Sequence, residues 1–256
     1  MSKRISSFIA PAVASGELSA ASGFVIDDLG VQIQAALGID VDDVEASEAT
    51  LVSALLDDSG SMAGVAAEAR EGFNHVMDAL SDSKQSEGIL MMVSNFGGVV
   101  RPYSLITDIE RLDTQNYQPM GGTPLYDATL VMLGAAVTKV AQFEQSGVAC
   151  RSVNFIVTDG DDNLSRHVRR DVARVVGDML RSEKHIVAGV GIASPYVQVD
   201  FLEVFRGMGL KDEWILTPGN TASEIRRVFA LISKSATRAS QGAASFSKTA
   251  AGGFGA

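Results

Sequence analysis

Four nearly continuous apolar runs of strand length, TLVSALL, ILMMV, SVNFIVT and HIVAGVGIA, recur along the chain between segments that read as helices. Strands without polar alternation suit a sheet covered on both faces, which in practice means a mostly parallel sheet with helical crossovers. The intervening segments supply those helices. Val65, Ala69, Phe73, Val76, Met77 and Leu80 share one helical face, and Val168, Val172, Val175, Val176 and Met179 share another. TPLYDATLVMLGAAVTKVAQFEQS reads as a long helix with Pro124 in its first turn. Pro102, in the run after Gly97 and Gly98, marks an antiparallel hairpin partner at an edge. The predicted architecture is α/β and Rossmann-like: an open, mostly parallel sheet, one antiparallel edge strand and helices on both faces.

In such sheets ligands bind beyond the carboxyl ends of the strands. Oxygen-bearing side chains concentrate there: Asp57, Ser59 and Ser61 after the first run, Thr123 in GGTPLYD, and Asp159 in TDGDDN. A hard cation such as Mg²⁺ takes six oxygens and keeps several waters. Hydroxyl ligands are neutral, so an ion held largely by them stays attractive to a carboxylate from outside.

Together, D-x-S-x-S at 57–61, GGTPLYDA around Thr123 and TDG around Asp159 resemble the metal-ion-dependent adhesion site of von Willebrand factor type A domains, over roughly residues 50–235. The resemblance implies that Ser59 and Ser61 coordinate the ion directly and Asp57 directly or through water. It implies that Thr123 coordinates directly once a ligand is bound, with Asp159 acting mostly through water. One ion is implied, Mg²⁺ or else Mn²⁺ or Ca²⁺, because MAGVAAEA follows Ser61 where integrin members carry the acids of a neighbouring site. The implied function is protein binding, with a partner Asp or Glu completing the coordination shell. Intracellular bacterial members of the family work beside AAA+ ATPases or in stress and tellurite-resistance modules. Asp58 falls at a variable motif position and reads as a solvated or helix-start acid; Asp161 and Asp162 read most simply as solvated loop acids, the alternative being that they raise the local negative potential or contact a basic partner.

A net charge of −10 disfavours nucleic acid as a partner. The single Cys150 excludes an internal disulfide, and the scattered His75, His167 and His185 argue against a histidine metal site. An enzyme, such as a hydrolase using Asp57 as nucleophile, would need an acid or base placed by motif, and none is evident. The N-terminus has Lys3 and Arg4 before an apolar stretch, as in a secretory leader, but Ser6, Ser7 and Pro11 break it. With no run of membrane-spanning length, a cytoplasmic location is expected.

The division expected is an acidic extension over 1–48, the main domain over 49–240, and a flexible Gly/Ala/Ser-rich tail over 241–256. Phe246 and Phe254 read as incidental aromatics of that tail or as docking points. A second reading makes the protein an assembly subunit acting through these ends. One version has an acid from residues 40–48 reaching the metal site as a built-in ligand.

Overall fold

The computed structural model describes residues 5–195 and 198–255. Lys3 and Arg4 of the leader-like start, and Tyr196 and Val197, lie outside them. A six-stranded sheet runs in the order β3-β2-β1-β4-β5-β6. The strands are β1 (Glu48–Leu56), β2 (Ile89–Asn95), β3 (Val100–Leu105), β4 (Ala149–Thr158), β5 (His185–Gly191) and β6 (Ile215–Leu216). Every pairing is parallel except β2 with β3, so the edge marked by Pro102 is antiparallel as predicted.

Helices cover both faces, which is why the central strands could be apolar throughout. Along β1, Leu51 and Leu55 enter one core and Val52, Ala54 and Leu56 the other, the two-residue period of a strand. The first core lies under α5 (Leu125–Gln145), α6 (Arg169–Arg181) and α7 (Phe201–Gly207). The second lies under α4 (Ala66–Ser81) and α8 (Ala222–Ala239). These two helices meet closely: a Cβ on Gly72 would lie 2.1 Å from the Phe229 ring.

The extension forms three short helices, α1 (Ala10–Ala14), α2 (Ala20–Asp27) and α3 (Gly30–Ala36), on the α5 side. Ile9, Leu18, Ile26 and Ile33 are buried in the first core. Asp178 of α6 accepts hydrogen bonds from the Ser19 N–H at 2.8 Å and the Ser22 hydroxyl. Beyond α3, Gly38 adopts φ +61°, and the Ile39 N–H donates to the Tyr103 carbonyl of β3 at 2.9 Å. Only glycine fits there, since a Cβ would lie 2.0 Å from that carbonyl oxygen. The extension thereby covers part of the exposed edge.

Three expectations change. Residues 40–48 lead into the amino end of β1, whose nine residues separate them from its carboxyl end by about 27 Å at ~3.3 Å per residue. An acid from that segment is therefore at the wrong edge to serve as a built-in ligand. The tail is not a loose end: Ala243–Gly252 is a helix, α9, packed on α8. Phe246 is 1% exposed, and Phe254 meets Trp214 edge to face at 5.0 Å. Spaced aromatics in a small-residue segment signalled anchoring, because two buried rings offset the entropy of ordering a few residues. Finally, α6 begins at Arg169, and Val168 is 52% exposed instead of joining the apolar face.

Glu17, 3% exposed, shares the Lys184 ammonium with Glu144, at 2.7 and 2.6 Å. Burial pushes the Glu17 carboxyl up from its ordinary 4.5 to about 7; Lys184 opposes the rise and Glu144 adds to it.

Two outcomes follow for stability. Phe246→Ala should cost about 3–5 kcal/mol in urea unfolding, whereas a loose tail would cost almost nothing. Because the folded state holds the Glu17 proton more tightly, that contribution is present below about pH 4.5 and is lost as pH rises through about 7. Glu17→Gln should flatten the fall in stability between pH 5 and 8; an unchanged slope would remove Glu17 as its source.

Candidate metal centre

The register of β1 against β4 pairs Leu56 with Val157, so the residues that follow each strand emerge side by side. The Asp57 N–H continues the ladder, donating to the Val157 carbonyl at 2.8 Å. Asp57 is wholly buried, and its carboxylate is held at both oxygens. One accepts from the Ser59 N–H at 2.7 Å; the other accepts from the Thr158 hydroxyl at 2.6 Å and the Asp159 N–H at 3.3 Å. The Tyr117 hydroxyl donates to the Asp57 carbonyl from the loop ahead of Thr123.

Ser59 precedes a short 3-10 helix, Gly60–Val65, before α4 begins. Within it Ser59 Oγ and Ser61 Oγ lie 3.1 Å apart, and Ser61 Oγ donates to Asp159 Oδ1 at 2.6 Å. Burial pushes the Asp159 carboxyl above its usual range, and the neighbouring Asp57 charge adds to that, against the pull of Ser61. Thr123 is 4% exposed and closes the arrangement from a third loop. Its N–H donates to Asn163 Oδ1 at 2.8 Å, and the Asn163 N–H returns to the Thr123 carbonyl at 3.0 Å. Its hydroxyl lies beside the Asp159 loop: a Cβ on Gly160 would sit 3.5 Å from it. Asp57, Ser59, Ser61, Thr123 and Asp159 are thus brought to one place by loops distant in sequence.

Asp58 departs from its sequence reading. It is 7% exposed, its carboxylate accepts from the Gly97 N–H at 2.8 Å, and its carbonyl accepts from the Met120 N–H at 2.5 Å. Burial raises its pKa. A Cβ on Gly97 would lie 2.7 Å from the Asp58 carboxylate, which explains the glycine at that turn. Asp58 therefore links the β2–β3 turn to the loop that carries Thr123. Asp161 and Asp162 are also engaged: the Tyr126 hydroxyl donates to Asp161 at 3.1 Å, and the Ser165 hydroxyl donates to Asp162. Tyr117, Thr158 and Asn163 escaped the sequence reading. Thr158 could have been noticed in TDG, but Tyr117 and Asn163 gave no signal, since their roles come from tertiary contact.

The donor set is all oxygen: two carboxylates and three hydroxyls, the chemistry a small hard cation takes. Among the described residues no three His, Cys, Asp or Glu side chains converge as a metal-binding group, so an ion here would depend on the hydroxyls. Among the same residues no basic side chain is ion-paired with Asp57, Asp58 or Asp159. Buried carboxylates without a compensating charge are costly, and a cation would offset that cost.

No protein-family model and no curated protein matches the sequence. Solved structures do resemble the fold. The pilus adhesin SpaC from Lactobacillus rhamnosus GG aligns with a TM-score of 0.57 at 12% identity, over 75% of this chain and 30% of the adhesin. Proximal thread matrix protein 1 of the mussel byssus aligns at 0.47 and 13% identity, over 75% of this chain and 47% of that one. Manganese-loaded Plasmodium vivax TRAP aligns at 0.43 and 14%, over 73% and 72% of the two chains. The chain spans about a third of the adhesin's length, and at these identities the likeness is one of fold.

Asp58→Ala should leave the Gly97 N–H without its partner and destabilise the protein by about 1–3 kcal/mol. Urea unfolding would measure this; a loss below ~0.5 kcal/mol would return Asp58 to the role of a solvated acid.

Proposed function

We propose that this protein is a metal-dependent protein-interaction domain of the von Willebrand factor A type. The observation that carries the reading is the oxygen-only cluster formed by the buried Asp57, Ser59, Thr123 and Asp159 and the half-buried Ser61, with no basic side chain ion-paired to its acids among the described residues. Ser59, Ser61 and Thr123 would present neutral hydroxyls to one Mg²⁺ or Mn²⁺, and Asp57 and Asp159 would supply negative charge directly or through water. An ion so held would keep enough positive charge to take a carboxylate from a partner protein.

This chain's own contribution is order. Asp57 is held by Ser59, Thr158 and Asp159, and the Thr123 loop is clamped by Asn163 and by the Asp58 carbonyl. Supporting contacts of this kind orient ligands and tune affinity. No catalysis is proposed, since both Asp57 oxygens already accept hydrogen bonds and Asp57 is wholly buried, which speaks against it as a nucleophile. The assembly-subunit alternative loses much of its motive, because buried side chains from both ends serve the core. By family analogy, an AAA+ ATPase or a stress-module protein is the partner class proposed.

Thermal unfolding in Mg²⁺ and in EDTA tests the reading. At free Mg²⁺ near 100 times its Kd, the domain should gain about 2.7 kcal/mol. Asp57→Asn should abolish the gain, and Ser61→Ala should weaken Mg²⁺ binding by about 10-fold or more. Identical unfolding of the unmodified protein in Mg²⁺ and EDTA would exclude the metal.

A further inference from the structure

Among the described residues the large apolar side chains left exposed are Phe24, Val31, Val99, Met120, Leu164 and Val168. Scattered exposure of this kind is ordinary, but the last four all belong to loops at the carboxyl edge of the sheet, around the candidate metal centre. Val99 lies in the β2–β3 turn that Asp58 holds, and Met120 precedes the glycines before Thr123.

Leu164 and Val168 belong to a segment with an unusual construction. Residues 164–168 alternate outward and inward: Leu164, Arg166 and Val168 are exposed, while Ser165 and His167 are half-buried. The inward residues are pinned to the start of α5. Ser165 Oγ accepts the Tyr126 and Asp127 N–H groups at 3.1 and 3.0 Å. Asp127 in turn accepts the Arg166 and His167 N–H groups at 3.0 Å each, and His167 Nδ1 lies 2.7 Å from it. Burial alone would raise the Asp127 pKa, but these donors hold it below the usual range, so the anchor stays ionised. Asn163, just before this segment, holds Thr123, and Leu164 lies against the same loop: a Cβ on Gly122 would be 2.5 Å from Leu164 Cδ1.

The outward face of this pinned segment thus presents an apolar, a basic and an apolar side chain beside Thr123. Among the described residues the exposed Arg166 side chain makes no ion pair, although the protein carries a net charge of −10. A single carboxylate–metal bond cannot choose a partner, so selection has to come from neighbouring contacts.

We propose that Leu164, Arg166 and Val168, together with Met120, form the docking surface for a protein segment whose metal-seeking carboxylate has apolar neighbours and a second acid that meets Arg166. This rests on the metal-dependent reading above. Apolar contact supplies affinity, and the Arg166 pairing sets register and excludes basic partners.

Fluorescein-labelled peptides with the core Leu-Asp-Leu-Gly-Glu, made in both chain directions, serve as probes by fluorescence anisotropy in saturating Mg²⁺. Controls replace both leucines by Ser or the Glu by Gln. The Mg²⁺ affinity of each protein is measured in parallel with the metal alone. At least one direction should bind about tenfold tighter than its controls. Arg166→Glu, and Leu164→Ser with Val168→Ser, should each remove that advantage while Mg²⁺ affinity stays unchanged. With Mg²⁺ bound, equal binding of peptides and controls, absence of peptide binding, or indifference to these substitutions overturns the docking surface. Failure of the unmodified protein to bind Mg²⁺ overturns the metal reading beneath it and is seen separately, in the metal titration.

Discussion

The parallel register between β1 and β4 is the constraint on which the candidate site depends. Pairing Leu56 with Val157 sets Asp57 next to Thr158 and Asp159, and it lets backbone N–H groups and one threonine hydroxyl hold the Asp57 carboxylate. A slip of one residue would turn every β1 side chain to the opposite face and take Asp57 out of reach of Thr158. The two cores prevent that slip, because Leu51 and Leu55 on one side and Val52, Ala54 and Leu56 on the other are all buried. Packing in the middle of the sheet therefore positions oxygen atoms at its end.

Around that fixed pair, the remaining parts are held by polar ties between loops. Tyr117 and Asp58 join the segment before Thr123 to the end of β1, and Asn163 joins Thr123 to the loop after β4. The same pattern continues outward, where Asp127 at the start of α5 anchors residues 166 and 167. Tyr117, Asn163 and Asp127 make their ties through side chains, and Asp58 ties to Met120 through its backbone carbonyl. Their common effect is to keep loops distant along the chain in contact with one another beyond the sheet, where no ladder of backbone hydrogen bonds could do so.

Legibility followed the range of the forces involved. The apolar runs, the helical periodicities and Pro102 reported local burial and backbone geometry, so the sheet, its antiparallel edge and most helices could be read directly. Asp57, Ser59, Ser61, Thr123 and Asp159 were legible because strand ends and motif spacing single them out. Asp58 was misread because its burial comes from the β2–β3 turn folding over it, and Val168 because Asp127, remote in sequence, ties down the N–H groups of Arg166 and His167 just before it, so that the helix starts only at Arg169. The tail was misread from its small residues, although Phe246 and Phe254 bury it against α8 and Trp214.

By itself the sequence determined an α/β sheet covered on both faces and the five oxygen-bearing residues that could serve a hard cation. Hydrophobic period and motif spacing act within single elements, and they survive in one dimension. Only the tertiary structure decided that these residues converge, that Asp58 ties loops together, and that Leu164, Arg166 and Val168 face outward beside them. Those outcomes depend on which loop lies next to which. Strand order and register set that adjacency, and neither is written in any one segment of the chain.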